Sequence, residues 1–341
     1  MKKLLLATAV AALSVSAAHA APTVYGKVLL SLDYKDFSGD NGYDDSTTSL
    51  NNNGSKIGVK GAEALTANTD LIYQLEYRVH PDDGGKQQFT SRDTYLGFSN
   101  KQYGTLLAGR LTTIDDSINY ANVTAAGIID AEGNHGADDV LATITAPRAN
   151  NALAYISPSY NGLNFMGMYS MDEGANSATS DLGLTSDIWG VGAKYEPNGQ
   201  PYRAGVTYMQ TNQQTDEVYR KVKDLRVSGA YDITSATTIG ALYQTTDFDT
   251  DDNEQAFAVS ATYKTATPWT AYGQVDVVNN AEGEDGRDKQ RYTLGGKYAF
   301  NDHTTGHVYG AYAKSDNYHP TKNTTVDIDG FGIGTGIEYK F

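Results

Sequence analysis

Segments that alternate apolar and polar residues recur along this chain, and the connections between them alternate in length. The last one shows the pattern most clearly. Phe331, Ile333, Thr335, Ile337, Tyr339 and Phe341 fall on one face, and Gly332, Gly334, Gly336, Glu338 and Lys340 on the other. A period of two is that of a β-strand with one apolar and one wet side. Sixteen segments read this way: 23–35, 54–63, 69–80, 90–99, 103–110, 148–157, 163–171, 187–196, 201–211, 222–232, 235–246, 254–264, 268–278, 290–300, 304–314 and 329–341. Two of them, 90–99 and 304–314, alternate poorly.

After even-numbered segments the connections are short, as at Asn100-Lys101-Gln102, Ile233-Thr234 and Asn301-Asp302-His303. After odd-numbered ones they are long and polar, as at 36–53, 111–147, 172–186, 212–221, 247–253, 279–289 and 315–328. A soluble sandwich has no reason to sort its loops by parity. An up-and-down barrel whose two ends face different compartments does. An even strand count also puts both ends of the sheet on one side, where the first and last strands can pair. The expectation is an all-β, 16-stranded antiparallel transmembrane barrel over residues 21–341.

Residues 1–20 read as a secretory signal peptide outside this fold. Lys2 and Lys3 precede an apolar run from Leu4 to Val15, and Ala18-His19-Ala20 supplies small residues for cleavage. The run is too short for a membrane-spanning helix. The full chain has a formal charge of −15, which argues against a nucleic-acid partner. It has no cysteine, so no disulfide holds it together.

Several segments finish on tyrosine where they enter a short turn: Lys194-Tyr195-Glu196, Ala230-Tyr231-Asp232, Thr262-Tyr263-Lys264, Lys297-Tyr298-Ala299 and Glu338-Tyr339-Lys340. A ring of such residues suits a membrane–water boundary, with an apolar body and a polar tip. The dry faces then meet lipid, where a mid-depth Lys or Arg costs roughly 2–4 kcal/mol. Charges belong on the other face: Lys27 and Asp33, Lys56 and Lys60, Gln74, Glu76 and Arg78, and later Arg203, Arg226 and Lys297. Sixteen strands enclose too wide a space for side chains to fill, so the polar lumen holds water. The connection 111–147 carries Asp115, Asp116, Asp130 and Glu132 but also Ile114, Ile118, Val123, Ile128 and Ile129. It either packs inside the barrel or stands outside as one more acidic loop.

Val24-Tyr25-Gly26-Lys27, Ser55 to Gly61, Ser91 to Phe98, Gly104 to Arg110, Arg148 to Tyr155 and the terminal Tyr339-x-Phe341 together resemble the general porins of the Gram-negative outer membrane. The resemblance implies a homotrimer of barrels, each with its third long loop folded inward as a constriction. It implies a basic ladder of Lys27, Lys56, Arg92, Arg110 and Arg148, with Arg78 added by strand parity, facing acids of the loop. Asp130 and Glu132 are the candidates at the loop tip, and Asp115 and Asp116 at its base. The family's Pro-Glu-Phe-Gly-Gly tip is replaced here by Ile129-Asp130-Ala131-Glu132-Gly133-Asn134. The resemblance further implies that Tyr339 and Phe341 form a signal for the outer-membrane assembly machinery. It implies surroundings of outer-membrane lipid and lipopolysaccharide, and passive diffusion of ions and small hydrophilic solutes with no cofactor.

Other readings remain at this stage: a solute-preferring channel, or a plugged barrel acting as an enzyme or adhesin. The histidines lack evident Ser and Asp partners for catalysis. Asp247-Phe248-Asp249-Thr250-Asp251-Asp252 starts like a calcium loop but has Asp252 where the Gly is required and Ala258 at the twelfth position. Ion preference stays open, because acidic mouth loops attract cations while a basic constriction favours anions.

Overall fold

The computed structural model describes residues 21–85, 87–124, 148–171, 188–214, 219–321 and 324–341. Its strands are β1 (Thr23–Gly39), β2 (Asp44–Asn52 and Lys56–Ala64), β3 (Thr69–Arg78), β4 (Thr90–Asn100), β5 (Gly104–Thr112), β6 (Arg148–Ile156), β7 (Leu163–Ser170) and β8 (Ile188–Tyr195). They continue with β9 (Tyr202–Gln214), β10 (Tyr219–Asp232), β11 (Thr237–Asp247), β12 (Asn253–Lys264), β13 (Trp269–Asn279), β14 (Lys289–Ala299), β15 (Thr304–Thr321) and β16 (Thr324–Lys340). Each pairs antiparallel with its sequence neighbours. The last returns to the first, from Lys27 opposite Lys340 to Gly39 opposite Ile328, so the sheet closes. Beside that seam Gly26 and Phe341 exchange backbone hydrogen bonds of 3.0 and 3.1 Å. Closure leaves no sheet edge in the hydrocarbon, where an unpaired N–H or C=O is costly.

Strand β2 is counted once because both of its halves pair with β1. Leu30 faces Asn52 and Lys27 faces Lys56, so three residues of β2 lie across from two of β1. The bulge is held by the Leu29 backbone, which accepts from the Asn53 N–H and donates to the Ser55 hydroxyl, both at 2.9 Å.

Large apolar side chains point outward, among them Val24, Leu96, Leu106, Val191, Val259, Leu294 and Ile337, each at least 46% exposed. In water such a surface would be untenable; against lipid it is required. At the short-turn end Tyr195 and Tyr202, Trp269 and Tyr298, and Tyr339 and Phe341 lie 6.1, 5.1 and 6.2 Å apart in ring pairs that form the lower girdle. The buried clusters sit on the inner side of the wall.

Three of the expected long loops are largely strand. β1 and β2 run on to Ser38 opposite Asp44, β9 and β10 to Gln214 opposite Tyr219, and β15 and β16 to Thr321 opposite Thr324. Lys35 and Asp45 bridge the first of these hairpins at 3.0 Å. A strand standing clear of the membrane is wet on most of both faces, so it lacks the alternation by which strands are recognised. Among the described residues there, Phe37, Ala313, Val326 and Ile328 belong to a small dry cluster.

Candidate functional site: a constriction inside the barrel

The chain leaves β5 at Thr112 and turns into the barrel, forming a short 3-10 turn at Ile114–Ile118. Ile114 and Ile118 join Leu107, Leu111, Met166, Met168 and Met209 in a dry cluster on the inner wall. Beyond it the backbone follows the wall from β8 to β14. Tyr120 donates its N–H to the Ser228 hydroxyl at 3.2 Å and its phenol to Glu196 at 2.8 Å. Val123 receives the Lys297 ammonium on its carbonyl at 2.8 Å and donates its N–H to Gln274 at 2.9 Å. Two glycines let the backbone come this close. A Cβ on Gly205 would stand 2.3 Å from Ile118, and one on Gly240 2.6 Å from the Tyr120 carbonyl oxygen. Burial and the Glu196 charge hold the Tyr120 phenol well above its usual range, so it remains a donor.

One ion pair anchors this segment. Arg226 is fully buried; its guanidinium lies 3.2 Å from the Asp115 carboxylate and donates to the Asp115 carbonyl at 3.1 Å. Its remaining edge meets Gln244 Oε1 at 2.7 and 2.9 Å. Asp115 therefore faces the wall rather than the water. Its neighbour Asp116 stays exposed to the lumen. Enclosure in the barrel, then the Asp115 charge, push the Asp116 carboxyl above the ordinary aspartate range, with Arg226 and Arg148 acting in the opposite sense.

The cations stand across the lumen from the anchored segment. Lys56 and Arg92 share Glu76, each at 2.8 Å, and Tyr25 also donates to that carboxylate at 2.9 Å. Arg148 reaches Asp93 at 2.6 Å, beside the Thr112 hydroxyl at 2.7 Å. Lys27 and Lys340 share Glu338 at 3.6 and 2.6 Å. Arg78 lies opposite Lys56 in the β2–β3 register, and Lys60 sits 5.0 Å from the centre of the Tyr25 ring.

Arg92 and Asp93 are consecutive yet both reach luminal partners, which regular alternation forbids. The explanation is a bulge: Leu75 faces Thr94 and Tyr77 faces Ser91, leaving Glu76 opposite both Arg92 and Asp93. The poor alternation of 90–99 is the trace of that bulge in the sequence. Asp93 as the partner of Arg148 has no such trace.

Lys27, Lys56, Arg78, Arg92 and Arg148 thus occupy one side of the barrel, on β1 to β4 and β6. Arg110 is set apart. It follows Leu106 and Ala108 on the outward face of β5, between inward Gly109 and Leu111, and opposes Thr94, which in turn opposes outward Leu75. Of the loop acids, Asp115 is consumed by Arg226 and Asp116 faces the lumen; Asp130 and Glu132 lie outside the described residues. Tyr339 and Phe341 stack in the lower girdle.

Comparison with known proteins agrees with this architecture. The model of the Gram-negative porin family matches residues 7–319. Outer membrane porin protein 32 of Delftia acidovorans is 30% identical over 192 residues, a match that spans about half of either protein, 53% of each. Major outer membrane protein P.IB of Neisseria lactamica is 27% identical over 89% of this chain and 91% of its own length. The solved anion-selective porin from Comamonas acidovorans superposes with a TM-score of 0.73 at 20% identity, covering 94% of this chain and 99% of that one.

Proposed function

The chain belongs to the Gram-negative porin family, and from that premise we propose how its channel selects among solutes. It is an outer-membrane channel for passive diffusion of solutes. The finer reading is a broad-range pore whose narrowest section lies between the anchored segment and the cationic wall.

One observation carries this reading: residues 113–124 are fastened to one side of the lumen while lysines and arginines line the other. Asp116 opposite such cations sets up a transverse field in a confined wet gap, which orients water and polar solutes. Lys27, Lys56, Lys60, Arg78, Arg92, Arg148 and Lys340 outnumber Asp33, Glu76, Asp93 and Glu338 on that wall. The narrow section accordingly favours anions, while acidic residues at the mouth favour cations. Salt screens the exposed mouth more than the enclosed wall.

Conductance of the purified protein in a planar bilayer tests this directly. Under a salt gradient the reversal potential should have the anion sign, and the preference should grow as ionic strength rises. A cation sign that strengthens with salt would overturn the assignment.

The same reading includes a homotrimer, which should show itself as conductance steps arriving in threes. It also takes residues 1–20 as a cleaved signal peptide and the Tyr339–Phe341 end as the assembly signal. Enzymatic action is the weaker reading, since the matching family model and relatives are those of porins.

A further inference from the structure

The cationic wall has a counterpart on the barrel itself, apart from the inward segment. Along β10, Leu225 and Val227 point outward, while Val222, Arg226 and Ser228 are buried on the inner side. Asp224 shares the inner face with them and stays partly exposed. β10 lies eight strands from β2, half-way round the sixteen. The short-turn ends of β2, β4, β6 and β10 are Ala64, Asn100, Ile156 and Asp232. Lys56, Arg92, Arg148 and Asp224 each stand eight places up their strands from those ends. The carboxylate is therefore about level with three cations of the facing wall.

Around this height the other inner-wall carboxylates are matched. Glu76 holds Lys56 and Arg92, Asp93 holds Arg148, and Asp276 receives the Arg291 Nε–H at 2.9 Å. Among the described residues, no lysine or arginine pairs with Asp224. Arg226, two places along the strand, is occupied by Asp115 and Gln244. Asp224 has a neutral relay instead. Gln244 accepts from Arg226 and donates to the Thr246 hydroxyl at 3.2 Å, and Thr246 donates to Asp224 at 3.1 Å. Thr246 is buried, so the relay fixes the carboxylate in place without neutralising it. A fixed charge of this kind in a confined wet section acts on every ion that passes.

We infer that Asp224 is a specificity-determining residue: it supplies a negative pole on the barrel wall and restrains the anion preference set by Lys56, Arg92 and Arg148. The inference rests on the proposed constriction, because it takes side chains at this height to face the conducting path. Asp224 lies two places nearer the long-connection end than Arg226, on the mouth side of the point where the inward segment is anchored.

The test is the reversal potential of the detergent-purified protein in a planar bilayer under a salt gradient, recorded at about pH 8 so that the carboxylate is ionised. Asp224→Asn keeps the shape and removes the charge. It should raise the anion-to-cation permeability ratio roughly two- to three-fold, the effect of one unit charge several ångströms from an ion in wet surroundings. Asp224→Ser is a second neutral variant and should give a shift of the same sign. Asp224→Glu retains the charge and should stay close to the wild type. Heat-modifiable mobility on gels identifies the folded barrels. Arg148→Gln, on the facing wall, should move the potential the opposite way. A shift with Arg148→Gln but none with either neutral variant of Asp224 would overturn the role of Asp224 and leave the constriction reading standing. No shift with any of them would overturn both. Equal shifts with Asp224→Asn and Asp224→Glu would also overturn it, since only the second keeps the charge, and would leave the residue a structural support.

Discussion

Replacing Arg226 with Met should loosen the segment fastened to the inner wall, which we propose narrows the channel. The substitution fills similar volume but leaves the Asp115 carboxylate, itself only 3% exposed, buried without its cation. Breaking a buried pair from one side costs about 3–5 kcal/mol. Four other polar attachments, from Tyr120 to Ser228 and Glu196 and from Val123 to Gln274 and Lys297, divide into two neutral contacts and two that involve a charge. At about 0.5–1.5 kcal/mol for each neutral contact and about 1.5–3 kcal/mol for each charged one, they total about 4–9 kcal/mol. The one buried pair is thus comparable with the lower part of that range, and its loss shifts the docked-to-undocked ratio by roughly 10² to 10³·⁵. Single-channel recordings should show raised open-channel noise and excursions to higher conductance, and limited proteolysis should cut within residues 113–124. The decisive control is Arg226→Met with Asp115→Asn. Removing both charges restores a neutral contact, so the double variant should lie close to the wild type. A quiet, protease-resistant single variant, or a double variant as disturbed as the single one, would refute the anchoring argument.

Glu76→Gln frees Lys56 and Arg92 from their shared carboxylate, so the reversal potential should move further toward anions; a shift toward cations would remove Glu76 from the conducting path. Gly240→Val puts side-chain atoms where the Tyr120 carbonyl lies, within 2.6 Å. The segment must then lift, and conductance should rise in a folded barrel, with unchanged conductance counting against close packing there. For Asp116, a carboxyl held above the usual aspartate range takes up its proton at a higher pH than a free aspartate. Lowering the pH through that range removes a luminal negative charge and should increase anion preference. The same proton is bound more tightly in the folded state, so this group's contribution to stability is present at low pH and lost as pH rises through its folded value. Asp116→Asn should abolish its part of the selectivity shift, which reversal potentials measured along a pH series will resolve.

The bulges of β4 and β6 show how little room the wall leaves for reading charge positions from parity alone. In β4 one extra residue brings Arg92 and Asp93 to the same side, so a cation and its neighbour's partner stand together against Glu76 and Arg148. In β6 another sets Asn150 and Asn151 against Arg110, which belongs to the outside. Both bulges lie near the long-connection ends of their strands.

The architecture was determined by the sequence itself. Alternation in sixteen segments, short and long connections sorted by parity and tyrosines at one strand end follow from local constraints: side chains on a strand alternate sides, and lipid tolerates only one kind of face. Those rules placed Lys27, Lys56, Arg78, Glu76 and Arg226 on the inner wall without knowledge of any contact. Tertiary structure alone decided who meets whom. That Asp115 turns to Arg226 across 111 residues of chain, that Glu76 binds two cations at once, and that Arg110 leaves the ladder for the outer surface all depend on register and curvature. The extended hairpins beyond the membrane escaped for a related reason. Where water lies on both sides of a strand, no alternation is imposed, and only the pairing partner determines that the strand continues.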